Sequence, residues 1–419
     1  MIIKMQTNEG AQGSLQVNVT DTDNIPIREA EVTISNADQP DNTVENLMTN
    51  VSGQTENVDL PAPPLEYSLN EANTTRPYSE YNIRISAPGY ETENVTGVEI
   101  LPGILAIQNI KLRTSNLAQT EDVNIGPHTL YGEYPPKVPE DEIKPMDEPG
   151  EIVLSRVVVP EYVVVHDGVP SNASAQDFYV TYRDYIKNVA SSEIYATWPE
   201  ATIEANVLAI MSFTLNRVYT EWYRNKGYDF TITSSTAYDQ KWIRGRNIFE
   251  PISLVVDNIF DRYLSRPDVR QPILTQYCDG KRVTCPNWLS QWGSCNLGER
   301  GYSAIEIIRY YYGDDMYINS AEQISGIPAS WPGYNLDIGA SGQKVAQMQE
   351  QLDTIAQVYS AIPRIAADGI YGEGTQRAVE EFQKIFDLPV TGIVDFSTWY
   401  TISQIYVGIT RIAEGIPRG

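Results

Sequence analysis

The sequence predicts a multidomain protein: an N-terminal β-sandwich, a central α+β domain and a C-terminal three-helix bundle. Three observations carry this. Period-two alternation fills the first hundred residues, helical and strand-like patterns interleave in the middle, and the last seventy residues hold only helical stripes and glycine turns.

The first module spans 12–113. Its short runs, "SLQVNVTD", "AEVTISN", "YNIRISAPGY", "NVTGVEIL" and "AIQNIKL", alternate apolar and polar residues and are separated by Gly, Pro, Asn and Asp, as antiparallel strands require. Several strands at this spacing predict a small sandwich. Residues 114–150, including "GEYPPKVPEDEIKPMDEPGE", are rich in proline and acid and poor in large apolar side chains, so an extended linker is expected.

The central module spans 151–322. A strand-like "IVLSRVVVPEYVVVH" precedes a helix marked by Tyr182, Tyr185, Ile186 and Val189. A second helix carries a stripe of Ile203, Val207, Met211, Leu215, Val218 and Trp222. "YDFTITSS" and "QPILTQYC" read as strands, "ISLVVDNIFDRYL" as an amphipathic helix, and "AIEIIRYYYG" as a short helix stopped by Gly313.

The third module spans 334–405. Val345, Met348, Leu352 and Ile355 form one stripe, and Ala378, Val379 and Phe382 a second. Two related turns, "DGIYGEGT" and "TGIVDFST", supply glycines, with Thr375 and Thr398 expected to cap the helices that follow.

The 419 residues carry a formal net charge of −25, which repels phosphate backbones and argues against nucleic-acid binding. No run approaches the ~18–20 apolar residues needed to span a bilayer. The opening "MIIKMQTNEGAQGSLQ" has no signal-peptide core. The three cysteines, Cys278, Cys285 and Cys295, are too few for a disulfide scaffold. His128 and His166 lie far from them, so ordinary thiols, or one bridge between Cys278 and Cys285, are expected, with no metal and no cofactor.

Three resemblances add to this reading. "GSLQVNVTDTDNIPIREAEVTI", "GQTENVDLP" and "YNIRISAPGYE" resemble the prealbumin-like domain of carboxypeptidase regulatory regions, which implies a spacer or adhesive module. "LDIGASGQKVAQMQEQL" and "ADGIYGEGTQRAVEEFQKIFDLPVTGIVDFSTW" resemble the type-1 peptidoglycan-binding domain, which implies a three-helix bundle that binds cell-wall glycan or its stem peptides. Its candidate contacts are Asp368, Gly369, Tyr371 and Gly372, outside the apolar stripes. The insertion-like "DTIAQVYSAIPRI" lengthens the first connection.

The middle module resembles the stage II sporulation protein D family, which includes amidase enhancers. The carriers are "DYIKNVASSEIYATWPEATIEANVLAIMSFTLNR", "FTITSSTAYDQKWIRG" and "LSQWGSCNLGERGYSAIEIIRYYYG". The resemblance implies a peptidoglycan lytic transglycosylase, a wall or spore-layer location, and a cell-wall amidase as a further candidate partner.

Lytic transglycosylation needs one carboxyl group, which protonates the glycosidic oxygen and then takes a proton from the muramic C6 hydroxyl, so its pKa must be raised. Glu193 fits that role. It falls at a helix C-terminus, where the dipole disfavours negative charge, and Ile194, Tyr195 and Trp198 can dehydrate it. In the family pattern the glutamate just before the Trp-Pro turn is the catalytic acid, and Glu193 holds that place. Glu200 reads as the far half of a capping box with Thr197, and Glu204 as solvent-facing. Ser290, Gln291 and Gly293 are candidate groove residues, with Gln240 and Tyr277 beside them; Trp222, Trp242, Trp288 and Trp292 are candidates for stacking on sugar faces. Ala201 and Met211 stand where the family carries glutamate and arginine, and "VTCPNW" where it often carries histidine. These departures open a second reading, a non-catalytic wall-associated binding protein.

Overall fold

A computed structural model describes residues 11–115, 120–145 and 154–410. Strands β1 (Gln12–Asp21), β2 (Glu31–Asn36), β3 (Gln39–Met48) and β4 (Val58–Pro61) lead into a one-turn helix α1 (Glu66–Leu69). They are followed by β5 (Ser79–Ser86), β6 (Thr92–Ile100), β7 (Leu105–Leu112) and β8 (Thr120–Asn124). One sheet runs β3-β2-β5-β6-β8, and β1 lies between β7 and β4 in the other. Alternation does what the sequence predicts: Leu15, Val17 and Val19 of β1 and Val32 and Ile34 of β2 point inward and are fully buried.

The central region contributes β9 (Val158–Val159), β10 (Tyr162–His166), β11 (Asp177–Thr181), α2 (Tyr182–Glu193), α3 (Glu200–Tyr219), β12 (Ile232–Thr233), β13 (Ile248–Phe249), α4 (Glu250–Ile259) and β14 (Arg262–Ser265). After these come β15 (Tyr277–Cys278), β16 (Leu289–Ser290), α5 (Gln291–Glu299), α6 (Ala304–Tyr312), β17 (Tyr317–Ser320) and β18 (Gln323–Ile324). Helix α3 is its axis, and the single stripe expected for it is too narrow a description. Ala205, Asn206, Leu208, Ala209, Ile210, Ser212 and Phe213 are buried as well, so nearly every face is covered, as in a helix threading a core. Its start also differs from expectation. Pro199 is the N-cap and no side chain caps it; Thr197 instead hydrogen-bonds Ser68 of the sandwich at 2.8 Å, so no capping box forms with Glu200. Glu204 lies partly exposed, 3.9 Å from Arg262.

The segment expected as an extended linker is packed along 120–145. β8 joins the sandwich sheet, and His128, Leu130, Tyr134, Lys137 and Lys144 are buried. Its few apolar groups fill gaps between modules while its lysines find acceptors: Lys137 Nζ donates to the Asp239 carbonyl at 2.8 Å and Lys144 pairs Glu140 at 2.6 Å. Residues 116–119 and 146–150 of the expected linker lie outside the described residues.

The sandwich and central region share a sheet. β13 pairs with β7, through Ile248 with Ile107 and Phe249 with Ala106. Beside it Asn247 exchanges two 3.0 Å hydrogen bonds with the backbone of Glu99, and Arg246 approaches the Glu99 carboxylate to 2.7 Å, an ion pair off the hydrogen-bond axis with both side chains buried.

The C-terminal helices are α7 (Gln343–Val358), α8 (Glu373–Ile385) and α9 (Phe396–Thr410). Much of "DTIAQVYSAIPRI" continues α7 rather than forming a loop, and its end meets the sandwich through Tyr359 and Asn24. The bundle is docked on the rest of the chain. Gln54 Nε2 donates to the Ile385 carbonyl at 2.9 Å, Arg183 to Thr401 at 2.8 Å, and Phe260 packs on Phe396 and Tyr400.

Candidate functional site

Glu193 closes α2, and the chain then turns through Tyr195 and Trp198 into α3. The sequence expectation of dehydration is met in full. Glu193 is 0% exposed, and burial pushes its carboxyl above the usual range, with Lys137, Tyr277 and the Lys241 amide pulling the other way. Oε1 accepts from the Lys241 N–H at 2.6 Å. Tyr277 acts on the carboxylate electrostatically, yet neither its hydroxyl nor Glu193 Oε2 makes a hydrogen bond of ordinary geometry. Lys137 lies 4.6 Å from the Tyr277 ring centre, and burial pulls its ammonium below the usual lysine range while Glu193 and Asp239 push back. Tyr134, buried nearby, completes a closed polar centre.

Gln240 belongs to this interior and not to a groove. It is fully buried: its Oε1 accepts from Tyr185 at 3.0 Å and Thr214 at 2.9 Å, and its Nε2 donates to the Ile210 carbonyl at 3.0 Å. Every polar atom is satisfied by the protein, which corrects its assignment as a substrate contact. Gln291 is also fully buried, with no partner for either amide atom.

Ser290 lies elsewhere, on a surface groove of about 350 Å³, and Gly293 packs against Tyr311 of its wall without lining it. β15 and β16 pair in parallel, so β16 buries Leu289 beside Tyr277 and delivers Ser290 to the groove. Ser290 Oγ caps α5 by accepting from the Gly293 N–H at 3.0 Å. A Cβ on Gly293 would meet the Tyr311 hydroxyl at 2.1 Å, and one on Gly280, at φ 78°, would meet Ser290 Oγ at 1.8 Å, so both glycines are required for this wall to close. Trp288, Asn287, Tyr310 and Tyr311 complete the groove, and Tyr310 is 66% exposed. Cys278 and Cys285 form a disulfide that ties the loop bearing Asn287 and Trp288; Cys295 is free and buried. Trp288 is therefore the one of the four candidate tryptophans that lines this groove. Trp242 and Trp292 are core residues, and Trp222 is stacked by Lys144, Lys226 and Arg217.

In the bundle, two buried glutamines that sequence reasoning passed over organise the two related turns. Gln349 accepts from the Gly369 N–H at 2.8 Å and donates to Asp368, the Ile370 carbonyl and Thr375. Gln383 accepts from the Thr391 and Gly392 N–H groups and donates to the Ile393 carbonyl and Thr398. Thr375 and Thr398 are thus acceptors for these glutamines rather than caps; Gly372 is the N-cap of α8, and Asp395 caps Thr398 N–H at 2.8 Å. Asp368 holds its own turn by accepting from Ile370 N–H, which with Gln349 keeps its carboxyl below the usual range. Gly369 takes φ 74°, a left-handed turn position. Tyr371 is buried and donates to the Gly392 carbonyl at 2.8 Å, so its ring is a strut between the turns; Gly372 is partly exposed. Ile338 and Ile370, 55% and 60% exposed, are the apolar groups these turns present outward.

Residues 341–402 match the family model of the peptidoglycan binding domain. The chain carries a peptidoglycan-binding domain. No curated protein matches it. Among solved structures, the SleB N-terminal domain is 28% identical, with 18% of this chain covering 99% of that one at a TM-score of 0.17. The Bacillus anthracis TIE protein is 16% identical over 25% of this chain and 17% of its own, at 0.18. Catechol 1,2-dioxygenase from Pseudomonas arvilla C-1 is 14% identical over 27% of this chain and 55% of its own, at 0.19. At these scores none of the three carries an inference about fold or activity.

Proposed function

We propose that this chain is a non-catalytic peptidoglycan-binding protein of the cell wall or a spore layer. The C-terminal bundle grips the polymer, and the groove of Ser290, Trp288, Tyr310 and Tyr311 serves as a second grip on glycan. The observation that carries the non-catalytic part is the enclosure of Glu193. A general acid must come within hydrogen-bond reach of the glycosidic oxygen, about 2.6–3.2 Å. A fully buried carboxylate tied to the Lys241 amide, and lining neither the groove at Ser290 nor the cavity beside Trp292, offers no such approach. Aromatic faces beside hydroxyl and amide groups suit sugar rings, whose C–H faces stack while their hydroxyls hydrogen-bond.

A second reading keeps Glu193 as the acid of a lytic transglycosylase. Its raised pKa favours it, and a movement that admits substrate is then required. Incubation with purified sacculi separates the two. Cosedimentation with no anhydro-ended muropeptides in the supernatant is the expected result. Anhydro products that vanish in Glu193→Gln would establish the enzyme.

A further inference from the structure

The groove that carries Trp288, Ser290, Tyr310 and Tyr311 has two unlike walls. One is fixed: Ser290 caps α5, and Tyr310 and Tyr311 stand on α6. The other is the segment from β15 to β16, and its first part is anchored. Asp279 is fully buried and accepts from the N–H groups of Lys281 at 3.2 Å, Arg282 at 3.1 Å and Val283 at 3.0 Å, and from Arg282 Nε at 2.7 Å. Arg282 also donates to the carbonyls of Thr129 and Gly132, and Lys281 to those of Glu71 and Asn73. The second part, 284–288, has no such anchors. Among the described residues, no hydrogen bond, ion pair or ring contact reaches Thr284, Pro286, Asn287 or Trp288, and Trp288 packs on no core cluster. Asn287 holds a left-handed φ of 56° without local support. What fixes this strap is the disulfide from Cys285 to Cys278. Yet Thr284, Cys285, Asn287 and Trp288 supply half of the eight residues that line the groove.

The two sulfurs differ in access. Cys278 is fully buried on β15, whereas Cys285 is partly exposed in the groove wall. A thiolate from solvent therefore reaches the Cys285 sulfur first. We propose that this bond gates the groove: oxidised, it straps Asn287 and Trp288 opposite the fixed wall, and reduced, it frees them and the grip on glycan is lost. The inference names a regulation of the second grip proposed above and rests on that reading. The reductant is a dithiol. Its first thiolate attacks Cys285 Sγ, and Cys278 leaves as a thiolate that takes up a proton. Its second thiol then displaces Cys285 and closes the reductant's own disulfide, so two electrons and two protons pass to the protein. Cys295, buried on α5, takes no part.

The test compares the full chain oxidised, reduced with dithiothreitol, and reoxidised. Alkylation of denatured aliquots should count one free thiol before reduction and three after it. The probe is the β-1,4-linked hexamer of N-acetylglucosamine, titrated by calorimetry. Reduction is expected to weaken binding about tenfold or more, and reoxidation to restore it. Cys285→Ser should bind as the reduced chain does and ignore the reductant; cosedimentation with sacculi through the bundle checks that this variant is folded. Chymotrypsin gives a readout that needs no sugar. Cleavage after Trp288 should run about tenfold faster in the reduced chain, since a segment with few contacts opens readily once untied. Equal affinity in the two states, with all three thiols counted, overturns the gate and leaves the groove reading standing. An oxidised chain that ignores the hexamer overturns the groove reading and the glycan gate with it, and cleavage at Trp288 that depends on the disulfide then keeps only the strap. Equal cleavage in both states overturns the strap whatever the sugar does.

Discussion

Glu193 meets the sequence argument for a raised pKa, and its enclosure is what favours the non-catalytic reading proposed above. The helix end, the aromatic neighbours and the raised pKa were all legible in "ASSEIYATW". The enclosure was not, because it depends on Lys137 and Tyr134 arriving from a segment whose composition reads as linker. A buried lysine has no local signature; it is stable only once distant acceptors are assembled. At residue scale the structural role predicts that Glu193→Gln keeps the Lys241 N–H bond through its amide oxygen while removing a buried charge. Because the folded carboxyl is raised above its unfolded value of about 4.3, the wild type loses stability as pH rises through its folded pKa. Glu193→Gln should therefore match the wild type near pH 4 and melt higher at pH 8. Equal or lower melting at pH 8 would contradict this. Gln383→Ala tests the other buried polar hub. It leaves the Thr391 and Gly392 N–H groups and Thr398 without their partner, and a loss of about 2–4 kcal/mol is expected by denaturant unfolding.

At the scale of elements, periodicity identified β1, β2, β5, β6 and β7 and the stripes of α7 and α8, but it missed β3, whose residues are almost all exposed, and β8, which lies in the expected linker. It misjudged α3, where nearly every face is covered and no single stripe marks the buried side. It was silent on β13, two residues whose only signal is their pairing with β7. Short strands of this kind are specified by the sheet they join and not by their own pattern. The expected caps Thr197, Thr375 and Thr398 failed for one reason. Each hydroxyl has a tertiary partner, Ser68, Gln349 or Gln383, that competes with the local helix end. The β13 seam makes a prediction of its own. Asn247→Ala leaves both backbone groups of Glu99 unpaired in the interior, so a destabilisation of about 2–4 kcal/mol is expected, in one transition shared by sandwich and central region. Two separate transitions in calorimetry would contradict the shared sheet.

For the whole molecule, the packed seam and the docked bundle replace the picture of beads on a linker. Burial raises Glu99, at the sandwich seam, to about 7 despite Arg246, and raises Asp387, at the bundle interface, to about 7 despite Lys187. Groups raised in the folded state contribute stability that is present below their unfolded values, about 4, and lost as pH climbs through about 7. Glu140 and Asp257 behave oppositely. Burial is outweighed by Arg217 and Lys144 for the first, and by Arg183 and Lys187 for the second, so their contribution fades only in stronger acid. The melting temperature should accordingly fall between pH 5 and pH 7.5, and a flat or rising profile would argue against buried acids at the seams.

What the full chain does to purified sacculi tests wall binding without cleavage most directly. Sedimentation with the polymer, followed by mass spectrometry of the supernatant, should find the protein in the pellet and no anhydro-ended muropeptides. Released anhydro fragments dependent on Glu193, or a chain left wholly in solution, would contradict it.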